Sequence, residues 1–147
     1  MAINPNTDFS SGAVLTAAQQ NRFPRGVMGY SARVSSFSLT TTATDVGASV
    51  TFTAVANRYY KYTAYCYACD TSGSVNVTLD ITNSSNVSQN AVLQRVQGPT
   101  QYQFLLNTYV TTETAGTVTR KLRAYTSSGS GVMYAPTWLL VEDIGPA

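Results

Sequence analysis

Cys66-Tyr67-Ala68-Cys69 is the one spacing in this sequence that looks like a chemical motif. A zinc site built on it needs a second pair of ligands, and the chain holds no other cysteine and no histidine. A redox C-x-x-C belongs at a helix N-terminus after a strand, whereas Arg58-Tyr59-Tyr60-Lys61-Tyr62-Thr63-Ala64-Tyr65 runs into this one as strand. Three residues apart on a regular strand, the two side chains point to opposite faces and do not readily bridge. The expectation is two unlinked cysteines, at least one of them in the core. A disulfide at a bulge is the lesser alternative, and metal binding comes last.

The other reactive groups are equally sparse. Without histidine there is no Ser-His-Asp triad and no Cys-His pair. Asp8, Asp45, Asp70, Asp80, Glu113, Glu142 and Asp143 are dispersed, and nothing marks a converging pair for glycoside hydrolysis. Glu142 and Asp143 face apart on a strand, and no acidic calcium loop is present. These carboxylates are expected to be solvated. Asn76-Val77-Thr78, Asn83-Ser84-Ser85 and Asn86-Val87-Ser88 match the glycosylation sequon but read as chance matches in a Ser/Thr-rich chain. Arg120-Lys121-Arg123 reads as a solvated strand edge that discourages edge pairing. The expectation is a protein that is not an enzyme, with no catalytic residue, no metal and no cofactor.

Aromatic residues are the remaining resource, with ten tyrosines and one tryptophan. Five tyrosines fall between positions 59 and 67. By the two-residue period Tyr60, Tyr62 and Cys66 share one face, and Tyr59, Lys61, Tyr65 and Tyr67 the other. Tyrosine offers apolar area with a polar tip, which suits a sugar platform or a protein partner. Tyr59, Tyr65, Tyr67 and Trp138 are the candidate aromatic surface. The plainer readings are contact with a neighbouring subunit, or packing within the domain.

These groups must be held by a single domain, since the chain has 147 residues. Serine and threonine make up about a quarter of it, and only 11% of residues are charged, with a net charge of +2. That charge is too small and scattered for nucleic-acid binding. Apolar residues at 44% suffice for a core, and no apolar run is long enough to span a membrane as a helix. The start, Met1-Ala2-Ile3-Asn4-Pro5, lacks the features of a signal peptide, so synthesis in the cytoplasm with reduced cysteines is expected.

Residues 13–23 contain the only plausible helix. Thr16 is its predicted N-cap, Gln19 completes a capping box, and Pro24 stops it after about two turns. Val14, Leu15, Ala18 and Phe23 form its expected buried face. From Gly26 on, the pattern is of strands: alternation over Val50–Val55, Val75–Ile81, Tyr102–Leu106 and Val118–Ala124, then a run from Trp138 to Ile144. Turn clusters separate them at Asp45-Val46-Gly47, Asp70-Thr71-Ser72-Gly73, Asn83-Ser84-Ser85-Asn86, Gly98-Pro99, Thr114-Ala115-Gly116 and Ser127-Ser128-Gly129-Ser130-Gly131. Seven or eight such strands predict an all-β fold, an antiparallel β-sandwich of jelly-roll or Ig-like type, with a closed barrel as the lesser option. The predicted division is an N-terminal arm with a short docking helix over 1–25 and the sandwich over 26–147.

Three stretches carry a resemblance. Phe9-Ser10-Ser11-Gly12-Ala13-Val14-Leu15-Thr16-Ala17-Ala18-Gln19-Gln20-Asn21-Arg22-Phe23-Pro24-Arg25-Gly26-Val27 resembles the F-x-x-G-x-V-L-T-A-A-Q-x-N-x-x-P-x-G opening of small structural proteins of tailed bacteriophages, especially those of actinobacterial hosts. Phe52-Thr53-Ala54-Val55-Ala56-Asn57-Arg58-Tyr59-Tyr60-Lys61 is similar to their central strand, and Leu139-Leu140-Val141-Glu142-Asp143-Ile144-Gly145-Pro146-Ala147 to their ending. The resemblance covers roughly a quarter of the chain. It implies a virion component on the particle exterior, made in the host cytoplasm and fixed by its N-terminal segment. The leading expectation is a capsid decoration (cement) protein, a homotrimer on the major capsid protein. Val14, Leu15 and Ala18 would anchor it, with Arg22 and Arg25 meeting an acidic shell. The alternative is a minor tail or fibre module that recognises a host surface glycan, with tail proteins as its partners. Neither nucleic acid nor membrane enters either expectation.

Overall fold

Alternating side chains carry the chain into strands wherever one face can be buried. The computed structural model describes residues 12, 14, 16–98 and 102–147. Among them lie one short helix, α1 (Ala17–Gln20), and the strands β1 (Gly26–Arg33), β2 (Phe37–Leu39), β3 (Thr44–Ala54), β4 (Arg58–Thr71), β5 (Ser74–Asn83), β6 (Ser88–Gln97), β7 (Gln103–Thr112), β8 (Gly116–Thr126) and β9 (Gly131–Pro146). The predicted period is plain in β3, where Val46, Ala48, Val50, Phe52 and Ala54 are buried and the residues between them are exposed.

The strands form two antiparallel sheets. One has the order β1-β9-β4-β7, with β2 also paired to β9; the other has the order β3-β8-β5-β6. From β3 onward every connection crosses between sheets except the β5–β6 hairpin. Of the two sandwich types expected, this strand order is that of a jelly roll. The core lies between the sheets: Tyr60, Tyr62, Leu105, Leu139 and Val141 from the first meet Val50, Phe52, Val77, Leu79, Ile81 and Leu122 from the second. Where β1 lies over β3, Gly29 permits the contact, because a Cβ there would come within 2.3 Å of the Val50 Cγ1.

Several expectations are corrected. The two-turn docking helix is not seen: α1 is a single turn. Its N-cap bonds are present, with the Gln19 N–H donating to the Thr16 Oγ1 at 3.2 Å and the Thr16 N–H to the Gln19 Oε1 at 2.9 Å. A helix this short gains nothing by propagation without a packed face, and Val14, placed on that face by the pattern, is 90% exposed. Leu15 lies outside the described residues, as does the side chain of Ala18. Asp45-Val46-Gly47 is no turn. It sits inside β3 as a register shift against β8 between Asp45 and Ser49, with Gly47 at φ +90°. Arg120, Lys121 and Arg123 are not on an edge, because β8 is paired on both sides.

The cysteines are both free and both fully buried. Opposite faces were expected of a regular strand, but β4 shifts register against β7 between Cys66 and Cys69, which returns both side chains to the core. Burial raises both thiols, Cys69 to about 12, so neither is a nucleophile at neutral pH.

Candidate functional site

The outward face of the first sheet is aromatic. Its four long strands each contribute one ring to a continuous row. Tyr30 on β1 lies 6.1 Å from Trp138 on β9, Trp138 lies 5.4 Å from Tyr65 on β4, and Tyr65 lies 6.4 Å from Phe104 on β7, centroid to centroid. The registers explain the row: Tyr65 pairs with Trp138 on one side and with Leu106 on the other. Three inter-strand spacings make it about 14 Å long. Tyr30 and Phe104 are 59% and 62% exposed, and Val27, Leu106 and Val110 extend the apolar area on the same face. Lys61 and Glu142, 3.5 Å apart, are its charged pair.

The outward face of the second sheet is different in kind. Thr51 and Thr119 share a hydroxyl–hydroxyl bond of 2.8 Å, and Lys121 and Arg123 lie 3.2 and 3.3 Å from the Asp45 carboxylate. Asp80, opposite Arg123 in the ladder, accepts from the Ser88 hydroxyl at 2.7 Å. Leu93 on β6 interrupts this polar surface.

Asp80 has a pH consequence. Partial burial raises its carboxyl above the ordinary value, outweighing the Ser88 bond and the Arg123 charge. A carboxyl raised on folding binds protons more readily in the native state, so stability rises as pH falls from the raised value toward the unfolded one. At pH 7 the charged form is a net cost, screened by solvent. Asp80→Asn is therefore expected to stabilise the fold at pH 7 by about half a kcal/mol, with the gain vanishing near pH 4 in urea titrations.

Where β4 passes its bulge and β9 begins, the first sheet carries an open cleft of about 620 Å³. Tyr67, Tyr102 and Tyr134 line it, with Val34, Ser35 and Ser36 from the β1–β2 connection. Tyr102 and Tyr134 meet edge to face at 5.5 Å. The Tyr134 hydroxyl donates to the Asp70 Oδ2 at 2.9 Å, a bond that pushes the phenol up to about 12.

The N-terminal segment is fixed to the sandwich by a residue that sequence reasoning passed over. Arg58, 4% exposed at the start of β4, donates through Nε and Nη2 to both oxygens of Asp143, at 2.5 and 2.8 Å. Its Nη1 and Nη2 also donate to the carbonyls of Asn21 and Phe23, at 2.5 and 2.6 Å. The Gly145 N–H completes the Asp143 shell at 3.0 Å. Asp143 is thus buried, not solvated as expected, because Glu142 points out and Asp143 in. Glu113 departs from expectation in the same way. It receives the Tyr62 hydroxyl at 2.6 Å and the Arg120 Nη2 at 2.5 Å, with both charged side chains about nine-tenths buried.

The sequence-selected residues therefore separate. Tyr65 and Trp138 belong to the row, Tyr67 to the cleft, and Tyr59 sits near the other end of β4, paired with Thr112 and Gly145. Arg22 and Arg25 flank Phe23 and Pro24 on the approach to β1. The cleft partners Tyr102 and Tyr134 were missed, since they come from distant strands and only the tertiary fold brings them together. Among the described residues no cluster of histidine, cysteine and carboxylate could hold a metal ion.

No family model matches the chain, and no curated protein matches it. Among solved structures it is similar to the VP2 subviral particle of infectious bursal disease virus, at 14% identity and a TM-score of 0.47, over 83% of this chain and 33% of that one. It is also similar to the arabinose-bound α-L-arabinofuranosidase MgGH51, at 13% and 0.43, over 92% and 26%, and to a CBM4 structure, at 12% and 0.33, over 80% and 92%. The chain spans about a third of the VP2 chain and about a quarter of the glycosidase. None of these likenesses bears on what this chain does.

Proposed function

We propose that this chain is a non-enzymatic structural subunit of a tailed-bacteriophage particle. More specifically, we read it as a decoration protein that sits as a homotrimer on the exterior of the capsid. The observation that carries the reading is the contrast between the two outward faces. One sheet presents threonine, serine and paired charges to water, while the other presents a row of rings and aliphatic side chains across its full width. A contiguous exposed apolar face on a chain of low charge suits burial against a neighbouring subunit or a shell. The resemblance of the opening, central and closing segments to phage structural proteins supports the virion as the place of that burial.

In this reading the segment over 1–25 anchors the subunit. Val14, Leu15 and Ala18 supply apolar contact, Arg22 and Arg25 meet an acidic shell, and Arg58 grips the end of the segment so that force on it reaches the sheet. The alternative, a tail or fibre module reading a host glycan, is favoured by one observation, the tyrosine-lined cleft.

Quantitative mass spectrometry of purified virions tests the proposal. Decoration predicts a copy number equal to that of the major shell subunit or a simple fraction of it. A few copies per particle would replace it with the tail module, and absence from the particle would overturn both.

A further inference from the structure

We infer that the cleft between β4, β9, the approach to β7 and the β1–β2 connection is a binding site for a neutral carbohydrate. The ligand class follows from the lining. Tyr67 and Tyr102 are 58% and 64% exposed, so they offer open ring faces to the C–H side of a pyranose or furanose. None of the described residues lining the cleft is charged. The nearest charges, Asp70 on the Tyr134 hydroxyl and Arg33 on the Ser35 and Ser36 carbonyls, are already engaged in those hydrogen bonds, which favours a neutral ligand. Ser35, Ser36 and three phenols place hydroxyls around the rings. The volume, about 620 Å³, is of small-ligand size and its open mouth leaves a chain free to extend outward.

A proline-rich peptide is the other neutral ligand that tyrosine clefts suit, and the hydrogen bonding here argues against it. The Tyr134 proton is committed to Asp70, so its oxygen can meet a ligand only as an acceptor. Proline has no backbone N–H to give it, whereas every sugar hydroxyl is a donor. The inference rests on the glycan-reading alternative above, which it sharpens to a neutral ligand at a named site. It is separate from the decoration role, because the cleft lies on a different set of side chains from the Tyr30–Trp138–Tyr65–Phe104 row.

The experiment is an array of neutral plant, bacterial and fungal oligosaccharides, followed by amide-resolved NMR titration of the full chain with the best-bound one and with a proline-rich decapeptide. Saturable binding is expected, with shifts centred on Ser35, Ser36, Tyr67, Tyr102 and Tyr134. Tyr102→Ala is expected to weaken it about tenfold while leaving the amide spectrum of the remaining sandwich unchanged. Tyr67→Ala serves as a second variant in case the first disturbs β7. No neutral sugar bound on the array, shifts centred on the aromatic row, or binding of the peptide in place of the sugar would each overturn the inference. None of those results would alter the copy-number test of the assembly role.

Discussion

Arg58→Met is expected to destabilise the protein by about 3–5 kcal/mol, the range for breaking one half of a buried ion pair. The change leaves the Asp143 carboxylate, 1% exposed, with the Gly145 N–H but without its cation. It also strands the carbonyls of Asn21 and Phe23, which the same guanidinium holds. Replacing both charges, as Arg58→Met with Asp143→Leu, removes the uncompensated charge and is expected to recover part of the loss, though not the two carbonyl bonds. Urea unfolding of both variants, with protection of the Asn21–Phe23 amides followed by hydrogen exchange, reads the two effects separately. A single variant as stable as the parent would mean that the pair contributes nothing net.

The second large effect concerns assembly. Tyr65→Ser combined with Trp138→Ser removes the two central rings of the row, each of which contacts the other and one outer ring. Buried aromatic anchors commonly carry about 2 kcal/mol or more apiece at an interface, so binding to particles stripped of this protein is expected to fall by at least about a hundredfold. Both side chains point away from the core, and the unfolding midpoint is expected to move little. Cosedimentation with stripped virions measures the first quantity and thermal unfolding the second. Undiminished attachment would show that the aromatic face is not the contact and leave the N-terminal anchor to carry it.

How much of this was legible differs from element to element. Strand β5 was plain because Val77, Leu79 and Ile81 alternate with polar residues and are fully buried. The division of Tyr60 and Tyr62 from Tyr59, Tyr65 and Tyr67 followed from the same period, whereas which of the two faces is buried, that of Tyr60 and Tyr62, was decided by the packing of the sheets. The rule failed where the backbone left it. The bulge after Cys66 brings Cys69 back to the core, and the irregularity at Asp45–Ser49 converts a turn signal into strand. The first inserts one residue against its partner strand and the second two, and no local pattern announces either. Charges were the other weakness: Arg58 and Asp143, 85 positions apart, and Glu113 and Arg120, across the β7–β8 connection, look like ordinary surface residues until the fold buries each pair together.

Local chemistry, then, is what the sequence determined. Its lack of histidine and its two lone cysteines removed the common catalytic constellations, its alternation called for two half-buried sheets, and its tyrosines marked β4 as the unusual strand. Tertiary structure decided everything that depends on which strands are neighbours. The order β1-β9-β4-β7 lines Tyr30, Trp138, Tyr65 and Phe104 into one row, draws Tyr102 and Tyr134 to Tyr67, and joins Arg58 to Asp143 across 85 positions of chain. A side-chain period specifies which face a residue takes, because it is set by the backbone of that residue alone. Strand order is set by the packing of the whole core, and so it is in strand order that the candidate sites arise.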